Sequence, residues 1–120
     1  MNVVPDTSVV VDGRVSERVE DGTYEGATVY VPEAVVGEVE AQANSGRQTG
    51  WDALEELQRL VELAEEGRIT VEYVGERAEE DDIKRASAGA IDAIIRDVAA
   101  EYDATFVTSD IVQAEVAKGK

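Results

Sequence analysis

Apolar residues recur along the chain at two different periods, and the switches between them outline the elements. Asn2 to Pro5 is apolar without alternation, which predicts a strand buried on both faces. Ser8 to about Val19 follows as a helix containing Gly13, with Asp6 and Ser8 as cap candidates. Thr28 to Val31 reads as a second strand, and Pro32 then opens a helix from Glu33 to Asn44 that Ser45 and Gly46 break. GRQTG makes a loop over Gly46 to Gly50. Beyond it WDALEELQRLVELAEEG sets Leu54, Leu57, Leu60, Val61 and Ala64 at helical intervals and stops at Gly67. Ile69 to Val74 alternates apolar with polar positions, as an edge strand with one wetter face does. A polar helix over Glu79 to Ala88, an apolar-faced helix over Ala90 to Tyr102, a fourth strand over Thr105 to Thr108 and a final helix over Ile111 to Lys118 complete the pattern.

Strands separated by helices through short connections imply right-handed crossovers. The expected fold is therefore a three-layer α/β/α sandwich around a mostly parallel four-stranded sheet. The 120 residues, 43% of them apolar, suit one domain with a substantial core. The last helix is still in progress at Lys120, with no capping turn beyond Gly119, so residues 1–120 read as one domain and as a piece of something longer.

Composition narrows the chemistry. There is no Cys and no His, which removes disulfides, thiolate metal sites, the commonest zinc ligand and the usual general base. Any metal must be held by oxygen. No basic leader precedes a long apolar stretch and no apolar run approaches membrane-spanning length, so a cytoplasmic location is expected by default. Asp and Glu number 27 against 11 Lys and Arg, a net charge of -16. Such a surface repels nucleic acid in dilute buffer, yet at 1 M salt the Debye length shrinks to about 3 Å. A salt-adapted, halophilic protein is the expectation, and its melting temperature should rise with KCl concentration. Undiminished stability in dilute buffer would count against it.

Asp6 and Asp110 each follow a predicted strand, in PDTS and VTSD. Ligands of open parallel sheets bind beyond the carboxyl ends of strands, where the winding order reverses. If the first and fourth strands meet there, two carboxylates converge and need a cation to stay ionised together. With oxygen donors alone, Mg2+ or Mn2+ suits such a site. Asp, Thr and Ser after a strand are equally good helix caps, so this spacing alone leaves both readings open. On the helix from Glu33, both Glu38 and Glu40 flank the buried face of Val35, Val36, Val39 and Ala43, and the helical wheel does not choose between them. In the helix from Ala90, Asp92 borders the apolar stripe on one side and Asp97 on the other. Asp92 also suits the positive end of its helix.

Taken together, PDTS, VPEAVVGEVE, IDAIIRDVA and VTSD resemble the PIN domain, a family of small α/β metal-dependent ribonucleases. The resemblance extends over nearly the whole chain. More narrowly, DTSVVVDGR, VPEAVVGEVEAQANSGRQTGWDALEEL and VTSDIVQAEVAK are similar to the N-terminal PIN module of archaeal ATPases that also carry a KH RNA-binding domain. The resemblance implies a sheet order of 3-2-1-4 and places Asp6 beside Asp110. It also implies that Asp6, Glu38, Asp92 and Asp110 hold one or two Mg2+ or Mn2+ ions and hydrolyse phosphodiester bonds of single-stranded RNA.

Ser8, Thr108 and Ser109 are supporting candidates, as partners of the carboxylates or of metal-bound water, or as helix caps. Asp12, in VVVDGR, is placed nearer a turn-forming role before Gly13 than the mouth of the site. Arg47 and Trp51 flank the GRQTG loop, where a guanidinium and an indole suit contact with RNA, although Trp51 reads first as a hydrophobic anchor. Lys84 and Arg85 read as surface charge. Two other roles compete with the nuclease: the toxin of a toxin-antitoxin pair, and a non-catalytic RNA-binding or assembly module of a larger ATPase. Self-association into a homodimer or larger oligomer is a further implication of the family likeness, and no residue pattern locates its interface.

Overall fold

The computed structural model describes residues 1–75 and 88–112. Strand β1 (Asn2–Pro5) leads into helices α1 (Thr7–Val11) and α2 (Arg14–Glu20). Strand β2 (Thr28–Pro32) leads into α3 (Glu33–Asn44) and α4 (Gln48–Glu65). Strand β3 (Thr70–Val74), helix α5 (Ala88–Glu101) and strand β4 (Thr105–Val107) follow, and residues 109–112 are again helical. The predicted helix over Glu79 to Ala88, apart from its last residue, lies outside the described residues, as do Lys84, Arg85 and most of the final helix.

The sheet order is β3-β2-β1-β4, and every described pairing is parallel. Winding runs one way from β1 through β2 to β3 and then returns to the other side of β1, so the reversal lies between β1 and β4. Val3, Val4 and Pro5 face Thr105, Phe106 and Val107 in register. The Asp6 N–H donates to the Val107 carbonyl at 2.9 Å, which carries the pairing one residue past β1 and fixes Asp6 at the carboxyl edge of both strands. The absence of alternation in β1 has its cause in burial on both faces, with Val3 and Val4 in the core. Strand β3 forms one edge of the sheet, and most of its residues are exposed or half-buried.

The single helix expected from Ser8 to Val19 is two helices. Gly13 adopts a left-handed conformation with φ 68°, reached at low cost only without a Cβ, and the chain turns there. The turn aims Ser16 of α2 at α4. Glu56 on α4, only 5% exposed, accepts the Ser16 N–H at 2.9 Å and the Ser16 hydroxyl at 2.5 Å. A buried carboxylate is tolerated because those donors meet it.

Burial nevertheless pushes the Glu56 carboxyl above its ordinary value. The Glu17 charge adds to the rise, and the Ser16 hydroxyl and the backbone N–H groups of Ser16 and Val15 oppose it. The folded chain thus holds this proton more tightly than the unfolded chain does. Its contribution to stability is full below the unfolded value of about 4.5 and is lost as pH rises through the higher folded value. Melting temperature should fall over that interval in the wild type, and fall less in Glu56→Gln, which keeps an acceptor for Ser16. Identical pH profiles would refute the assignment.

Helix α4 begins at Gln48, inside the segment expected to be a loop. Its first turn is supported by the Gln48 amide donating to Asp52 at 2.9 Å. Gly50 lies within the helix because α3 passes close by. A Cβ built on it would stand 2.2 Å from the Ala43 backbone nitrogen. Ala53, Leu57, Leu60 and Leu63 form the buried stripe of α4.

Candidate metal centre

A pocket of about 220 Å³ opens beside the reversal point, lined by Asp6, Thr7, Ser8, Glu38, Ile91, Asp92 and Ile95. Three carboxylates from three separate segments thus border one cavity: Asp6 at the end of β1, Glu38 in the middle of α3, and Asp92 in the first half of α5. Glu40, which the helical wheel left equivalent to Glu38, is absent from the lining.

Asp6 does two jobs. As the N-cap of α1 its Oδ1 accepts the Val9 N–H at 3.2 Å, and the same oxygen accepts the Ser8 hydroxyl at 2.6 Å. Both bonds fall on Oδ1, so Oδ2 is the oxygen available to a cation. Burial pushes the Glu38 carboxyl above its ordinary value. The Asp6 charge raises it further, while the Thr7 hydroxyl and the Arg47 guanidinium pull the other way. Thr7 lies close enough to favour the carboxylate, yet its buried oxygen makes no hydrogen bond of good geometry. Thr7 is signalled in the sequence only by its place between Asp6 and Ser8.

Asp92 pairs with Arg96 one helical turn on, Oδ2 to Nε at 2.7 Å, and the guanidinium rests 4.5 Å from the centre of the Phe106 ring. In this arrangement no three carboxylates among the described residues are set closely enough to grip an ion. The donor set nevertheless suits one. It consists of hard oxygen ligands, a carboxyl disfavoured in its charged form by burial and by a neighbouring acid, and an unsatisfied hydroxyl of the kind a metal-bound water would meet. To join the other two acids, Asp92 must turn away from Arg96.

Asp110 stands apart from the pocket lining. The chain turns at Thr108, whose hydroxyl accepts the Ile111 N–H at 3.2 Å as a cap. In the helical turn that follows, Ser109 is buried inward and Asp110 exposed outward. Ser109 makes the contacts across the sheet end: its N–H donates to the Ser8 hydroxyl at 3.3 Å, and its own hydroxyl donates to Asp12. Arg47 is exposed at the N-cap of α4. Trp51, expected as a hydrophobic anchor, is 54% exposed. The early start of α4 puts it in the first turn on the outer side, and the stripe anchored on Ala53 and Leu57 supplies the packing instead.

Residues 3–119 match the family model of the PIN domain. The chain belongs to the PIN domain family, whose members are generally nucleases that use divalent metal ions. It is 48% identical over 118 residues to an uncharacterized KH and PIN-domain containing protein of Methanocaldococcus jannaschii. That match takes in 98% of this chain but 18% of the relative, so the chain spans about a fifth of that protein's length. Among solved structures it is similar to a domain of a functionally unknown protein from the same archaeon, with a TM-score of 0.86, 48% identity, and 98% of this chain and 84% of the other covered. Among the described residues no helix is long and apolar enough to cross a membrane.

Proposed function

We propose that this domain is a divalent-metal-dependent endoribonuclease acting on single-stranded RNA. The observation that carries the reading is the meeting of Asp6, Glu38 and Asp92 around one pocket at the reversal of the sheet. These three would hold Mg2+ or Mn2+. Asp110, exposed past the end of β4, is the outermost member of the set and contributes least. When bound, the ion lowers the pKa of water and offsets charge on the phosphoryl oxygens, which is how a chain without histidine runs phosphodiester hydrolysis.

The protein's own residues position the reaction. Ser8 and the Val9 N–H orient Asp6, Thr7 offers a hydroxyl beside Glu38, and Ile91 and Ile95 form the apolar wall of the pocket. Arg47 and the exposed Trp51, four residues apart at the start of α4, are suited to a phosphate and an unpaired base of the substrate. The KH domain named in the archaeal relative supports an RNA substrate and a longer parent chain. The test is incubation of labelled single-stranded RNA with the domain at high salt. Cleavage should require Mn2+ or Mg2+ and stop when EDTA is added. Intact RNA at millimolar metal would leave the binding or assembly role in its place.

A further inference from the structure

Asp12 closes α1, one residue before the left-handed Gly13, and its carboxylate lies outside the pocket. It is nonetheless joined to the pocket by a continuous hydrogen-bonded path. The Ser109 hydroxyl donates to Asp12 Oδ2 and also lies 3.2 Å from the Ser8 carbonyl. The Ser109 N–H donates to the Ser8 hydroxyl at 3.3 Å, and the Ser8 hydroxyl donates to Asp6 Oδ1 at 2.6 Å. Ser109 is buried, 8% exposed, so this path is part-buried where it crosses from β4 to α1.

We infer that Asp12 is a positioning residue for the metal site: it locks Ser109 and, through Ser109 and Ser8, sets the direction of the Asp6 carboxylate. The physical basis is directional. Ser8 has one hydroxyl proton, and an incoming N–H on its oxygen commits that proton to Asp6. The donation is thereby strengthened, as in any chain of hydrogen bonds. With Oδ1 occupied by Ser8 and Val9, the free oxygen is presented to a cation. If Asp12 is removed, the Ser109 hydroxyl is left with the Ser8 carbonyl alone, the turn after β4 keeps one fewer tie to α1, and Asp6 gains rotational freedom.

This inference rests on the reading of Asp6 as a metal ligand, and one experiment separates the two. Calorimetric titration with Mn2+ is run on the wild type, Asp12→Ala, Asp12→Asn and Ser109→Ala, each with its thermal melt. Loss of an outer partner of a ligand weakens metal binding by roughly tenfold. Asp12→Ala and Ser109→Ala should show that loss, Asp12→Ala with a melting temperature close to wild type because Asp12 is exposed, and Ser109→Ala with a lower one because its hydroxyl is buried. Asp12→Asn removes the charge and keeps an acceptor for Ser109, so it should bind within about twofold of wild type. Wild-type affinity in Asp12→Ala overturns the inference and leaves the metal site standing. Equal weakening in Asp12→Asn and Asp12→Ala also overturns it, since it assigns the effect to charge alone. If the wild type itself takes up no Mn2+, the metal-site reading falls and this inference falls with it.

Discussion

Asp6→Asn should lower metal-dependent RNA cleavage by on the order of 10²–10³-fold while leaving the melting temperature nearly unchanged. The separation follows from the two jobs of this side chain. As a cap, Asp6 needs only an oxygen to accept the Val9 N–H, and Asn is as good an N-cap as Asp. As a ligand it needs a negative charge beside Glu38, which Asn lacks. Asp6→Ala should lose both functions, with the absent cap costing about 1 kcal/mol. Cleavage by Asp6→Asn at the wild-type rate in Mn2+ would refute the nuclease assignment, because Asp6 is the acid that β1 delivers to the pocket. Asp110→Asn serves as the internal comparison and should cost less, since that residue is exposed and off the pocket.

Gly50→Ala is the change expected to damage the fold most. The added methyl would sit 2.2 Å from the Ala43 nitrogen and 2.7 Å from the Gln42 carbonyl carbon, well inside van der Waals contact. Both obstructing atoms belong to the backbone of α3, so no side-chain rotation relieves the clash and the two helices must separate. A loss of about 3 kcal/mol, at the upper end of overpacking costs, corresponds to roughly 10 °C in melting temperature for a chain of this size. Glu38 rides on α3 and Arg47 on the first residues before α4, so the same shift should also disturb the pocket. A Gly50→Ala variant that melts with the wild type would show that α3 and α4 do not approach as closely as described.

The strands and the long helices were legible because their signals are local. Strand β1 is a continuous apolar run because both of its faces are covered. Helix α3 keeps its predicted bounds because Pro32 and the Ser45-Gly46 pair punctuate it. Two glycines misled for opposite reasons. Gly13 breaks a helix that apolar periodicity carries through it, and the preceding Asp made a turn readable there. Gly50 does the reverse, sitting inside a helix because a neighbouring backbone needs the space, which no local pattern announces.

The site divides in the same way. Asp6 was readable from its place after an apolar strand. Glu38 and Glu40 were indistinguishable on the helical wheel, where only the family likeness favoured Glu38, and the docking of α3 is what puts Glu38 rather than Glu40 on the pocket. The task of Asp12 was hidden because its partner is 97 residues away along the chain. Trp51 was misjudged because a large aromatic usually supplies buried area, whereas here leucines fill that role and leave the indole outside.

Helix α1 is only five residues long, and its brevity sets a tolerance on the pocket end of the molecule. Each residue of an α-helix advances the face by about 100°. One inserted position between Ser8 and Gly13 would swing the Asp12 carboxylate around the axis and out of reach of Ser109, while Asp6 stayed where β1 puts it. Related chains with altered spacing between these two acids would therefore have to brace the first carboxylate by some other means.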